Sequence, residues 1–149
     1  MASTVKEVEY FYVVVADRPG EARKLLDFLS ERMVNLQALT VFPVGDGKSQ
    51  IDLIPADPES LRSAAADAGM ELVGPKKAFL IQGTDKIGAL YHYHLKLFNA
   101  GINIYACNGV VDGTGHFGYV MWVDPADYAE ASAALKTSDW RTIQPSRRT

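Results

Sequence analysis

Two short turns carry the residues best suited to binding a small ligand. Residues 17–20 read Asp-Arg-Pro-Gly after the apolar run 10–16, and residues 85–88 read Asp-Lys-Ile-Gly after the apolar run 78–81. A helical pattern follows each turn, and free N–H groups and the helix dipole favour a carboxylate or another anion at a helix start. Gly20 and Gly88 lack a Cβ, so a ligand can approach the backbone closely there. Both turns are therefore candidate ligand sites, although their glycines also suit an ordinary turn.

Two asparagines occupy equivalent places later in the chain. Asn35 and Asn103 each open the strand that follows the first helical pattern. An asparagine amide both donates and accepts hydrogen bonds, which suits the ammonium and carboxylate groups of an amino acid. The alternative is that they only cap the turn.

These features recur because the chain contains an internal repeat. A displacement of 68 residues carries 17–20 onto 85–88 and Val34-Asn35-Leu36 onto Ile102-Asn103-Ile104. The Asp-Pro pair at 57–58 falls opposite the pair at 124–125, at a displacement of 67, so one residue is lost between these landmarks. Three landmarks in the same order indicate a duplicated unit.

Each half is predicted to run strand, helix, strand, strand, helix, strand. In the first half we expect strand 10–16, a helix from Pro19 with Asp17 as a candidate cap, strands 36–44 and 49–54, helix 58–68 and a short strand 71–73. In the second half we expect strand 78–81, helix 87–100, strands 102–111 and 117–123, helix 125–135 and strand 140–144.

The predicted fold class is α+β, with two ferredoxin-like βαββαβ units in tandem, antiparallel sheets and helices on one face. The units span residues 9–75 and 76–144, joined at Gly74-Pro75, and 145–149 form a tail. Runs 10–16 and 117–123 are apolar at odd and even positions, so the face without helices is apolar too. A unit of about 65 residues with such a face needs a partner. The second copy or a second chain could provide it.

Several motifs suggest chemistry that their context does not support. Residues 113–118 match G-x-G-x-x-G but lead into a strand, whereas the dinucleotide fingerprint opens a helix.

The histidines and the cysteine do not form an evident metal or catalytic site either. On the predicted helix, His92 and His94 point about 200° apart. Cys107 lies in a predicted strand, where a small core residue is the simpler interpretation. The pattern predicts no catalytic set, no metal site and no cofactor, although a small enzyme of unknown reaction stays an alternative.

A second alternative is single-stranded RNA binding. The order βαββαβ is that of RNA-recognition motifs, and residues 117–122 resemble their aromatic third-strand signature, with Phe117 and Tyr119 as the stacking rings. Gly115-His116 replaces the basic-glycine pair of that signature. The chain has 15 Lys and Arg against 18 Asp and Glu, a formal charge of −3, which disfavours phosphate binding. We therefore expect no nucleic-acid partner.

The two turns and the Ala-Gly-Ile-Asn-Ile segment at 100–104 resemble the signature of ACT domains, which are small-molecule sensor modules of βαββαβ fold, mostly for amino acids. The resemblance implies a non-catalytic regulator that binds a small amino acid at domain interfaces. Ile87 replaces the proline of this pattern, and Met33-Val34 replaces its Ala-Gly step. The ligand-binding residues implied by the resemblance are Asp17, Arg18, Pro19, Gly20, Asn35, Asp85, Lys86, Ile87, Gly88, Gly101 and Asn103.

The two copies fill nearly the whole chain, so the resemblance implies a free-standing regulator that acts on an unidentified protein and forms a homodimer. The N-terminal residues contain no apolar signal-peptide core, and the longest apolar run is far shorter than the about 20 residues of a membrane span. We therefore expect a cytoplasmic protein without a membrane partner.

Overall fold

The structure is a computed structural model that describes residues 3–136. The chain divides into two compact units. The first unit spans Glu9–Lys76, and the second combines the described residues 3–8 with 77–136. Each unit is an antiparallel sheet with helices on one face, so the predicted fold class is confirmed.

The first unit contains the elements expected of a ferredoxin-like module. These are β1 (Thr4–Ala16, from residue 9), α1 (Glu21–Glu31), β2 (Leu36–Gly45), β3 (Lys48–Pro55), α2 (Pro58–Ala68) and the start of β4 (Val73–Thr84). Its strands are hydrogen-bonded in the order β2-β3-β1-β4. Helix α2 has the bounds predicted from sequence, because the Asp57 carboxylate accepts from Glu59 N at 3.1 Å and Gly69 ends the helix in a left-handed conformation.

The second unit repeats this plan. After β4 follow α3 (Tyr91–Asn99), β5 (Ile104–Val111), β6 (His116–Val123), a 3₁₀ turn (Pro125–Asp127) and α4 (Tyr128–Leu135). The strand order is β1-β4-β6-β5, with residues 4–8 of β1 at the edge. The Asp124 carboxylate accepts from Ala126 N at 2.9 Å and so begins the 3₁₀ turn, whereas the predicted helix began directly at 125.

The strand registers show how closely the two units correspond. Phe11 pairs with Leu53 in the first unit and Phe79 with Met121 in the second, so both members are displaced by 68 residues. The bulge near the start of β2 recurs near the start of β5 at the same displacement. The repeat inferred from three short landmarks therefore extends to the pairing of individual residues.

Each unit has its own apolar core between sheet and helices. In the first, the core consists of Phe11, Val13, Leu25, Leu29, Val34, Ile51, Leu53, Leu61 and Ala64. In the second, it consists of Phe79, Ile81, Tyr93, Leu97, Ile102, Phe117, Tyr119, Met121, Val123, Tyr128, Ala131 and Leu135. Alternate strand residues enter each core with residues of both helices, which fixes the helices on one face.

Two predicted helix starts are wrong. Helix α1 begins after Gly20, so Asp17 lies too far upstream to cap it. Helix α3 begins at Tyr91 and not at residue 87, because residues 87–90 form turns and Ile87 is fully exposed.

The predicted strands 71–73 and 78–81 are parts of a single strand, β4. Gly74-Pro75 therefore lies inside a strand, just before the boundary between the two units after Lys76. A Cβ at Gly74 would come within 2.9 Å of both the Phe11 ring and the Tyr10 carbonyl oxygen, so this crossing of β4 and β1 requires glycine.

Residues 4–8 were not predicted as a strand, yet they belong to the second unit. Val5 packs against its core, and the Glu7 carboxylate accepts from the Ser132 hydroxyl at 2.8 Å and lies 3.3 Å from Lys136 Nζ. The predicted strand 140–144 and tail 145–149 lie outside the described residues. Within residues 3–136, no helix is long and apolar enough to cross a bilayer.

The residue that ends α1 offers a first test. Met33 has φ 58° and is 89% exposed, and the equivalent Gly101 has φ 72°. A left-handed conformation costs a residue with a Cβ about 1–2 kcal/mol. Glycine avoids this cost, but its greater freedom in the unfolded chain lowers the free energy of unfolding by about 0.4–1 kcal/mol. Met33→Gly should therefore stabilise the protein by about 0.5–1 kcal/mol in urea unfolding. Gly101→Ala should destabilise it, and equal effects of the two changes would contradict this explanation.

A buried carboxyl offers a second test. Asp52 is 6% exposed, and this burial raises the pKa of its carboxyl. The hydrogen bond from Gln50, at 2.8 Å, and the nearby charge of Lys76 each lower that pKa and offset part of the increase. A carboxyl whose pKa is raised by folding destabilises the folded state as pH rises through that pKa, and has no such effect below the unfolded pKa. Asp52→Asn should therefore raise the melting temperature at pH 7 and not at about pH 3. Asp27→Asn, on the exposed side of α1, is the control; a gain of equal size at both pH values would contradict the prediction.

Candidate functional site

An open cleft of about 610 Å³ lies in the second unit, between the β4–α3 turn and the β5–β6 hairpin. It is lined by Asp85, Lys86, Gly88, Ala89, Leu90, Tyr91, Gly109, Val110, Val111, Phe117 and Gly118. Small-molecule sites typically have volumes of about 300–1,000 Å³. The cleft is therefore large enough for a metabolite.

Backbone hydrogen bonds hold the charged wall of the cleft in place. Asp85 N donates to Gly115 O at 2.8 Å, which ties the turn to the β5–β6 hairpin. Ala89 N donates to Lys86 O and Tyr91 N to Gly88 O, both at 3.1 Å, so the turn folds back on itself before α3. Gly88 has φ 77°, a conformation that a residue with a Cβ rarely adopts.

The facing wall is apolar and contains two glycines. Val110 is 71% exposed, and Phe117 contributes the edge of a buried ring. Gly118 has open space where a Cβ would be, whereas a Cβ on Gly109 would come within 3.0 Å of the Tyr119 ring. An aspartate, a lysine and several apolar residues thus line one cavity, a composition that suits a small zwitterion with an aliphatic part.

Three of the six residues predicted in the second copy line this cleft together: Asp85, Lys86 and Gly88. The other three are not among its lining residues. Ile87 is fully exposed, Gly101 lies beyond the end of α3, and Asn103 directly precedes β5.

A second cleft, in the first unit, is lined by residues other than those predicted in the first copy. The cleft in that unit has about 500 Å³ and is lined by Val13, Val14, Val15, Glu21, Lys24, Leu25, Phe28, Ala68, Met70 and Glu71. Asp17, Arg18, Pro19, Gly20 and Asn35 are not among these residues. Arg18 instead donates to Glu21 Oε1 at 2.6 Å, which holds the pKa of that carboxyl below its usual value.

Sequence reasoning missed Leu90, Tyr91 and the β5 residues of the cleft. The helical pattern placed Leu90 and Tyr91 inside a helix, and Val110 and Val111 were ordinary strand residues. A strand glycine often marks a close approach of another group. Gly109 was the available signal.

The two alternatives from the sequence receive no structural support. Phe117 and Tyr119 are 7% and 4% exposed and belong to the second core, so neither ring is available to stack on a base. His94 Nε2 lies 2.5 Å from the buried Tyr119 hydroxyl, and His94 is not among the residues that line the cleft. Cys107 is exposed, and its predicted core position is wrong. Among residues 3–136, no group of three metal-ligating side chains is positioned to hold an ion.

Comparison with known proteins identifies the fold. No family model and no curated protein matches the sequence. Protein BT0572 from Bacteroides thetaiotaomicron superposes with a TM-score of 0.75 at 17% identity, covering 89% of this chain and 88% of that one. The ligand-free regulatory subunit of aspartate kinase from Thermus thermophilus gives 0.59 at 19% identity, with 89% and 93% covered. The same subunit from Thermus flavus gives 0.56 at 19% identity, with 90% and 93% covered.

These similarities span both repeats and nearly the full length of the neighbours. The chain therefore has the same fold as these three proteins, and the ACT-like fold that the sequence resemblance implied is confirmed. At this level of identity the shared feature is the fold, and the function depends on the cleft itself.

Proposed function

We propose that this protein is a non-catalytic regulator that binds a small amino acid or a related zwitterionic metabolite in the cleft of its second unit. The observation that carries the proposal is the convergence of Asp85, Lys86 and Gly88 on one wall of that cleft, opposite an apolar wall. These three residues were also among those predicted from the sequence, which supports the proposal.

The chemistry of the lining residues matches the two charges of an amino acid. Lys86 supplies a cation for the carboxylate, and Asp85 supplies an anion for the ammonium group. Val110 and Val111 offer an apolar surface to the ligand's side chain. A ligand of fewer than about ten heavy atoms gains at most about 1.5 kcal/mol per atom, so we expect micromolar to millimolar affinity.

The structural neighbours support a regulatory role. Two of them are described as regulatory subunits of aspartate kinase. We extend this to an unidentified regulated protein for the present chain. A cytoplasmic location is part of the same proposal, since a single cysteine suits a reducing compartment.

A homodimer also belongs to the proposal. Strand β5 is at the edge of its sheet and exposes Tyr105 and Val110, at 58% and 71%. Edge strands with exposed apolar side chains tend to pair with another chain. Light scattering should give twice the 16.3 kDa chain mass at micromolar concentration, and the monomer mass would contradict the dimer.

Ligand binding is tested by a thermal-shift panel of the standard amino acids. At a concentration 100-fold above its Kd, a ligand stabilises the folded state by about 2.7 kcal/mol. We expect at least one amino acid to raise the melting temperature of the wild-type protein. Asp85→Asn and Lys86→Met should each remove this shift, because each removes one of the two charges that face the ligand.

The repeat supplies a matched control. Asp17 is equivalent to Asp85 but is not among the residues that line the cleft of about 500 Å³ in the first unit, and Asn103 does not line the cleft of the second unit. Asp17→Asn and Asn103→Ala should therefore keep the full shift. A flat panel, or equal losses in Asp17→Asn and Asp85→Asn, would count against the proposed site.

A further inference from the structure

The hairpin that forms one wall of the cleft corresponds residue by residue to the hairpin of the first unit. Val110 pairs with Gly118 in the second unit, and Phe42 pairs with Gln50 at the same ladder position of the first. The displacement of 68 residues therefore compares the lining of the cleft with the same positions in a unit whose cleft has other walls. The differences between the two sets of residues indicate which ligand chemistry suits the second unit.

The lining of the cleft has a gap at Gly109, where the first unit has the side chain of Val41. A Cβ on Gly109 would lie 3.0 Å from the Tyr119 ring and 3.5 Å from Leu90 Cδ1, so carbon atoms border this gap on two sides. Gly109 does not have a positive φ, so its backbone conformation does not require glycine. A glycine within a strand lowers stability and often marks the close approach of another group. The absent side chain therefore provides apolar space in the cleft.

Other lining residues are more apolar than their equivalents in the first unit. Leu90, Tyr91 and Phe117 stand at the positions of Ala22, Arg23 and Ser49. Of the described lining residues, only Asp85 and Lys86 carry a charge, and the Tyr91 hydroxyl is the only other polar side-chain group. A polar ligand side chain would lose hydrogen bonds with water in this cleft and gain few in return. The composition therefore favours a ligand whose charges are confined to one end.

We propose that the ligand of this cleft is an amino acid with a bulky apolar side chain, of the size of leucine, isoleucine or phenylalanine, and that Gly109 provides the space for it. This inference rests on the proposed function and names the class of ligand within it. The charged groups of the ligand bind at Asp85 and Lys86, and its side chain lies over Gly109, against Leu90 and Val111. Each methylene group that is removed from water favours binding, so a bulky apolar side chain binds more tightly than a short one.

The test is isothermal titration calorimetry of the intact protein with leucine, isoleucine, phenylalanine, alanine, serine, aspartate and lysine. We expect the tightest ligand to be one of the bulky apolar amino acids. Its Kd should be at least about tenfold below that of alanine, because it buries several more carbon atoms. Serine, aspartate and lysine should bind no more tightly than alanine.

Two variants change the space that the ligand's side chain occupies. Gly109→Ala places a methyl group in the gap, and Val111→Ala removes apolar surface from the wall. Each should reduce the preference for the bulky ligand over alanine, by about tenfold in Gly109→Ala and less in Val111→Ala. The added methyl group also approaches the Tyr119 ring, so urea unfolding must show that Gly109→Ala is folded. Val111 is 55% exposed, so Val111→Ala provides a test that does not disturb the core.

Val41→Ala is the matched control, because Val41 has the same ladder position as Gly109 in the unit without this cleft. It should keep the wild-type preference. Binding of alanine, or of an amino acid with a polar side chain, as tightly as the bulky apolar ones would overturn the inference and leave the proposed function intact. An unchanged preference in folded Gly109→Ala, or an equal loss in Val41→Ala, would overturn the role of Gly109. Binding of none of these amino acids would overturn the proposed function and this inference together.

Discussion

A βαββαβ unit places its first strand inside the sheet, so that strand needs a neighbour on each side. In the first unit β1 lies between β3 and β4, and in the second β4 lies between β6 and residues 4–8 of β1. The chain meets both requirements with two long strands of 13 and 12 residues, about twice the usual length. Each of these strands is therefore shared along its length between two sheets. This sharing explains why a charged N-terminal segment is a strand at all.

Sequence patterns predicted the helix bounds and hairpins most accurately where a single side chain or a glycine determines the local backbone conformation. Asp57 and Gly69 bound α2 as expected, and the hairpins followed from alternating residues and glycine turns. Secondary structure was predicted wrongly where contacts with distant parts of the chain determine the local backbone. Lys6 and Glu7 do not resemble strand residues, yet Glu7 is held by Ser132 and Lys136 from distant sequence. In residues 87–90 the spacing was helical, but the turn bonded to the hairpin prevents the helix from starting before Tyr91.

Ligand-binding residues were predicted in both copies of the repeat. One difference between the two turns lies at the residue that follows the glycine. Glu21 neutralises Arg18 in the first turn, at 2.6 Å. The residue equivalent to Glu21 in the second turn is Ala89, which has no acceptor in its side chain. In the second turn, therefore, no carboxylate at this position pairs with Lys86 in the way that Glu21 pairs with Arg18. Residue types alone could not separate the two turns, since both carry an acid, a cation and a glycine.

One cross-strand pair of residues differs between the two units in a way that affects both the cleft of the second unit and the contact between His94 and Tyr119. In the first unit Val41 pairs with Ile51, and at the equivalent ladder position of the second unit Gly109 pairs with Tyr119. A Cβ on Gly109 would lie 3.0 Å from the Tyr119 ring, so the ring packs closely against a neighbour that has no side chain. The same missing side chain leaves space in the wall of the cleft, which Gly109 lines. The larger ring carries the hydroxyl that lies 2.5 Å from His94 Nε2, so the opening of the cleft and this polar contact involve the same pair of residues.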